Sequence, residues 1–125
     1  MASVLIVDDA ELFREALKAA FAQEGFEVVG VAADSMAAID LARELEPDLV
    51  MLDLLMPGMR GEEVLDAVHQ LRPDLPVVVV TAEANIQTAV QCIKRGATDY
   101  IVKPLQPAQA PMGVLNEKRP GVASR

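Results

Sequence analysis

The stretch Val4-Leu5-Ile6-Val7-Asp8-Asp9, residues 4–9, decides how the chain folds. Its four apolar residues are continuous rather than alternating, the pattern of a parallel strand covered by helices on both faces. Two carboxylates stand at its downstream end. Three more runs repeat the arrangement: LVML at 49–52 leads into Asp53, VVVV at 77–80 into Thr81, and YIV at 100–102 into Lys103. As strands of one parallel sheet, these runs bring all five polar side chains to a single edge, where open α/β sheets bind their ligands.

The segments between the runs read as helices. From Ala10 to Glu24, Leu12, Phe13, Ala16, Leu17, Ala20 and Phe21 recur at helical spacing, with Gly25 as the stop. Phe26 to Val31 is a further strand. Asp34 or Ser35 caps a second helix with Ala38, Ile39, Ala42 and Leu45 as its inner stripe, and Pro47 closes that connection. After Leu49 to Leu52, Met56-Pro57-Gly58-Met59 forms a loop and Gly61 to Leu71 a third helix, with Val64, Leu65 and Val68 inward. Pro73 and Pro76 bracket the turn into Val77 to Val80. A fourth helix spans Asn85 to Arg95, with Ile86, Ala89, Val90 and Ile93 on one face and Gly96 as its terminator. Strand and helix alternating at this spacing predict right-handed βαβ crossovers. The expected fold is α/β, a single doubly wound (βα)5 flavodoxin-like domain with sheet order 2-1-3-4-5.

Beyond Lys103 the pattern weakens. Leu105, Ala108, Met112 and Leu115 are spaced for a fifth helix, but Pro111 costs on the order of 3 kcal/mol inside a helix and Gly113 roughly 1 kcal/mol more. That helix is expected to be short or irregular. The domain is set at residues 1–118, with its core at 3–105, and residues 119–125 are expected to form a disordered tail.

Length and charge narrow the function classes. At 125 residues the chain is the size of one domain, and 52% hydrophobic residues with only 3% aromatics imply an aliphatic core. Through Leu105 it carries 18 acidic and 8 basic side chains, and after it 1 and 3, so the body is strongly negative. Such a body repels nucleic acid and membrane surfaces and attracts cations. The single cysteine, Cys92, permits no internal disulfide and fits a reducing compartment. No signal peptide or membrane span is written at the start, so the expected location is the cytoplasm.

Three carboxylates brought close together repel one another unless protonated or bridged by a cation. Oxygen ligands without nearby His or Cys favour Mg²⁺, or Mn²⁺ in its place, and Mg²⁺ commonly shares its shell with a phosphate oxygen. Asp53, ending the central strand, is the candidate nucleophile for an acyl phosphate. The Lys103 ammonium and Thr81 hydroxyl are placed to offset the charge of a transferring phosphoryl group. Each residue also has a plainer reading. Asp8-Asp9-Ala10-Glu11 could be a helix start with a capping-box pattern, Thr81 a local cap, Lys103 a solvated lysine, and His69 a solvated residue on the third helix. Asp53 resists this, because an unpaired charge between Leu52 and Leu54 at a buried strand end is expensive.

Asp8-Asp9, Asp53 followed by Met56-Pro57-Gly58, Thr81-Ala82, and Gly96-Ala97-Thr98-Asp99-Tyr100 leading into Lys103-Pro104 together resemble the receiver domain of two-component response regulators. The resemblance covers about residues 3 to 105. It implies phosphorylation of Asp53 by a histidine kinase or phosphotransfer protein, and Mg²⁺ held by Asp9, Asp53 and the Leu55 backbone carbonyl, with Asp8 helping through water. It further implies that Thr81 contacts the phosphoryl group, that Lys103 pairs with it, that the Lys103-Pro104 peptide is cis, and that Tyr100 turns inward when Thr81 moves. Leu55 and Glu83 correspond to positions that flank the water path to the acyl phosphate and so tune its lifetime. Output would pass through the fourth helix and fifth strand to an unknown downstream protein or domain, or through a homodimer on that surface. Such a chain is not an enzyme in the ordinary sense, since it catalyses only its own phosphorylation and dephosphorylation. Two rivals remain: a receiver-like binding module that is never phosphorylated, and a phosphatase of the haloacid dehalogenase type. The latter fits poorly, because its D-x-D nucleophile belongs on the first strand.

Overall fold

A computed structural model describes residues 2–55, 60–82 and 84–103. The elements are β1 (Ser3–Val7), α1 (Glu11–Gln23), β2 (Glu27–Ala32), α2 (Ser35–Leu45), β3 (Leu49–Leu52), α3 (Gly61–Leu71), β4 (Val77–Thr81), α4 (Ile86–Lys94) and β5 (Asp99–Val102). The five strands form one sheet in the order β2-β1-β3-β4-β5, and every pairing is parallel. This is the expected doubly wound arrangement. The fifth helix, the tail, the Met56–Met59 loop, Glu83 and Pro104 lie outside the described residues.

Burial explains the uninterrupted strands. Val4 to Val7, Leu49 to Leu52 and Val77 to Val80 are all buried, and their side chains divide between two apolar clusters on opposite faces of the sheet. On one face Leu5, Val7, Val50, Leu52, Val77 and Val79 meet the inner stripes of α2 and α3. On the other, Val4, Ile6, Leu49, Met51, Val78 and Val80 pack with Leu17 and Phe21 of α1. Phe21 meets Phe26 edge-on, with ring centroids 5.9 Å apart, a favoured aromatic geometry.

Local chemistry sets the boundaries. Asp34 is the cap of α2, its carboxylate accepting from the Ala37 N–H at 2.9 Å, and Asn85 caps α4 by accepting from the N–H groups of Gln87 and Thr88. Gly25 and Gly96 end α1 and α4 with positive φ, which only glycine adopts at low cost. At the upstream ends of the strands, Ser3 and Asp48 exchange hydrogen bonds that tie β1 to the start of β3. The strand and helix ends differ from the sequence expectation by a residue: β2 runs to Ala32, and β5 begins at Asp99.

Two helical faces differ more. Leu12, placed on the inner stripe of α1, is 88% exposed, because it lies about 140° around the helix from Leu17. On α4 the apolar stripe points outward: Ile86, Val90 and Ile93 are 82%, 45% and 48% exposed, whereas Cys92 is the residue buried against the core. His69 is not simply solvated. Its imidazole lies over Gly96, where an added Cβ would come within 2.7 Å of Nδ1.

Candidate functional site

Strand register assembles the site. Val7 pairs with Leu52, so the residues that follow, Asp8 and Asp53, leave the sheet side by side; the Asp53 N–H donates to the Val7 carbonyl at 2.9 Å. Thr81 pairs with Val102, and the Lys103 N–H donates to the Thr81 carbonyl at 2.8 Å. Asp8, Asp53 and Thr81 are buried at this edge. Asp9 is exposed, yet Asp8, Asp9 and Asp53 each offer a carboxylate oxygen within 4.8 Å of the others.

The two buried carboxylates divide their oxygens alike. Asp8 Oδ1 accepts from the Ala10 N–H at 2.8 Å, and Asp53 Oδ1 from the Leu55 N–H at 3.1 Å. The remaining oxygens face one lysine: Lys103 Nζ lies 2.7 Å from Asp8 Oδ2 and 3.3 Å from Asp53 Oδ2. The capping-box reading of Asp8-Asp9-Ala10-Glu11 fails here. Ala10 is the N-cap of α1 and no side chain caps it, because Asp8 turns the chain into the helix while keeping Oδ2 for the lysine. The solvated reading of Lys103 fails as well, since its side chain is only 19% exposed.

Charge balance at this edge is incomplete. Burial raises the Asp53 carboxyl above its ordinary value, and the neighbouring Asp8 charge adds to this; the Leu55 N–H and Lys103 pull it down without cancelling the rise. For Lys103, burial is the largest single influence and lowers its value, but the hydrogen bonds and charges of Asp8 and Asp53 together outweigh it and leave the lysine raised. One ammonium thus faces two buried carboxylates, with the exposed Asp9 carboxylate close to both of them. The donors are all oxygen, as a hard divalent cation requires.

Comparison with known proteins follows this geometry closely. The family model of the response regulator receiver domain matches residues 4–111. The chain belongs to the response regulator receiver domain family.

This receiver is 38% identical over 106 residues to the chemotaxis protein CheY of Thermotoga maritima, covering 85% of this chain and 88% of that protein. It is 40% identical over 108 residues to the DNA-binding response regulator MtrA of Mycobacterium tuberculosis, but spans only 46% of that longer protein. Among solved structures it resembles CheY in the CheX-CheY-BeF3-Mg complex from Borrelia burgdorferi, with a TM-score of 0.85 and 32% identity over 94% of this chain and 90% of that one. It is therefore a receiver of two-component response regulators.

The structure brings together Asp8, Asp9, Asp53 and Lys103, with Thr81 on the neighbouring strand end. Leu55 is 56% exposed beside Asp53, and Tyr100 is half-buried, paired with Val79 and packed against the core. Sequence reasoning passed over two neighbours of the site. Arg14 donates from Nη1 to the Asp8 carbonyl at 2.7 Å, and the Phe13 ring lies 4.2 Å from Lys103 Nζ. Phe13 follows Asp9 by one helical turn, and helical side chains lean back toward the N-terminus, which was the available signal.

Proposed function

We propose that Asp53 is the phosphoacceptor of this receiver. An Asp53 oxygen attacks the phosphorus of a phosphohistidine on a histidine kinase or phosphotransfer protein; the P–O bond forms as the P–N bond breaks, and the imidazole departs neutral after taking a proton. The observation that carries this reading is the buried Asp53 carboxylate at the end of the central strand, held by the Leu55 N–H and faced by Lys103.

Asp9 and Asp53 would hold Mg²⁺, or Mn²⁺, with Asp8 acting through water and the Leu55 carbonyl completing the protein ligands. The all-oxygen donor set and the excess of carboxylate over ammonium support that choice. When bound, the ion offsets charge on the phosphoryl oxygens. Thr81 donates its hydroxyl to the phosphoryl group, and Lys103 pairs with it. A phosphoryl group adds about two negative charges at pH 7, which draws Thr81 inward and opens room for Tyr100. The surface of α4 and β5 changes with it. There Ile86 and Val90 line, with Arg60 and Arg95, a groove of about 590 Å³ between α3 and α4 that suits a downstream protein.

Beyond its own phosphorylation and dephosphorylation, the domain catalyses nothing. No described helix is long and apolar enough to cross a membrane. The single cysteine supports a cytoplasmic location, and the acidic body argues against direct nucleic acid binding by this segment. Incubation with acetyl phosphate and Mg²⁺ followed by intact-mass measurement tests the reading. A single labile adduct is expected, lost in Asp53→Asn. No adduct would favour a plain binding module, and multiple turnover of phosphate esters a phosphatase.

A further inference from the structure

The Lys103 ammonium has three N–H donors and lies 2.7 Å from Asp8, 3.3 Å from Asp53 and 4.2 Å from the centroid of the Phe13 ring, over its face. Phe13 sits in the first turns of α1, half-buried, with part of its ring against the cluster that contains Val4, Ile6 and Leu17. The ring is thus anchored on the core side and offers its negative face to the lysine.

We infer that Phe13 is a positioning residue for Lys103, keeping the ammonium in the site when its carboxylate partners are engaged elsewhere. This inference rests on the proposed phosphorylation of Asp53. Asp8 and Asp53 are the groups that would be shared with a divalent cation, and Asp53 is the group converted to an acyl phosphate. Each event weakens the hold of that carboxylate on Lys103, whose long stem otherwise gains freedom by swinging into water. The Phe13 ring carries no charge, binds no hard cation and is unchanged by phosphorylation. Its attraction for the ammonium persists throughout, so Lys103 stays where an incoming phosphoryl oxygen can meet it.

The test compares Phe13→Leu, which keeps apolar bulk without the ring face, with Phe13→Tyr, which keeps both. In NMR spectra of the whole chain, the Lys103 ε-methylene protons should show an upfield ring-current shift with and without Mg²⁺; the shift should vanish in Phe13→Leu and persist in Phe13→Tyr. The rate of adduct formation from acetyl phosphate should fall about fivefold in Phe13→Leu and recover in Phe13→Tyr, with no loss of Mg²⁺ affinity. A Lys103 shift that is absent, unchanged in Phe13→Leu, or abolished by Mg²⁺ would overturn the inference. So would equal rates in the wild type and Phe13→Leu. If the wild type itself takes no phosphoryl group, the functional reading fails, and the ring-current shift alone still decides whether Phe13 holds the lysine.

Discussion

Asp8 and Asp53 are held in the same way: each gives Oδ1 to the backbone N–H two residues further on and turns Oδ2 to Lys103, at 2.7 Å and 3.3 Å respectively. Backbone bonds fix the carboxylates, while the shared lysine offsets only part of their charge. The site is therefore preorganised, with a carboxylate charge that its lysine only partly offsets.

Removing the Asp53 charge should stabilise the protein. A carboxyl raised by burial binds its proton more tightly in the folded than in the unfolded state, so ionisation costs folding free energy. Wild-type stability should fall as pH rises from the ordinary carboxylate value through the raised one. Asp53→Asn should therefore have a higher Tm than wild type at neutral pH without metal, and the difference should shrink as pH is lowered through that window. Thermal unfolding across pH checks this, and a lower Tm for Asp53→Asn at pH 7 would count against it.

Lys103→Met should have the opposite effect. Methionine keeps most of the stem but leaves two buried carboxylates uncompensated, costing on the order of 3 kcal/mol. Because the lysine is raised by its partners, its contribution is complete below the ordinary lysine value and is lost as pH climbs through the raised one. Mg²⁺ should recover more stability in Lys103→Met than in wild type, since no ammonium competes for the carboxylates. Denaturant unfolding with and without Mg²⁺ measures both effects.

Gly61 leaves room for the Leu54 backbone, next to Asp53. A Cβ there would sit 2.4 Å from Leu54 Cα and 2.8 Å from the Leu54 carbonyl oxygen, contacts that no side-chain rotation relieves. Gly61→Ala should lose about 1–3 kcal/mol through overpacking, despite the better helix propensity of alanine. It should also disturb the Leu55 N–H bond to Asp53, read as faster amide exchange at Leu55.

We propose that Leu55 limits access of water. It is exposed beside Asp53, where an aliphatic side chain would hinder in-line attack on an acyl phosphate. Leu55→Asn should shorten the lifetime of the phosphorylated form several-fold, seen by following loss of the adduct by mass. An unchanged or longer lifetime would remove Leu55 from this role.

The sequence made much of this architecture legible because parallel strands buried on both faces need continuous apolar runs. Such runs mark their own downstream ends, so the sequence alone places Asp8, Asp53, Thr81 and Lys103 at one edge. Helical faces were harder to read. Periodicity shows that Ile86, Val90 and Ile93 share a face of α4 but not which way it points, and the structure turns it to solvent and buries Cys92. Leu12 misled for a related reason, because an apolar residue near a stripe belongs to it only if its angle agrees. The plainer readings of Asp8 and Lys103 depended on partners distant in sequence, Lys103 standing 95 residues from Asp8, and only folding could settle them. The contacts of Phe13 with Lys103 and of Gly61 with Leu54 were hidden likewise, since each residue also satisfies an ordinary helical role.

The most direct test of the central claim is chemical trapping. The protein is phosphorylated with acetyl phosphate and Mg²⁺, the acyl phosphate is reduced with borohydride to the homoserine side chain, and the digest is mapped by tandem mass spectrometry. Homoserine at position 53 alone is the predicted result. Homoserine at position 8 or 9, or at none of the three, would contradict it.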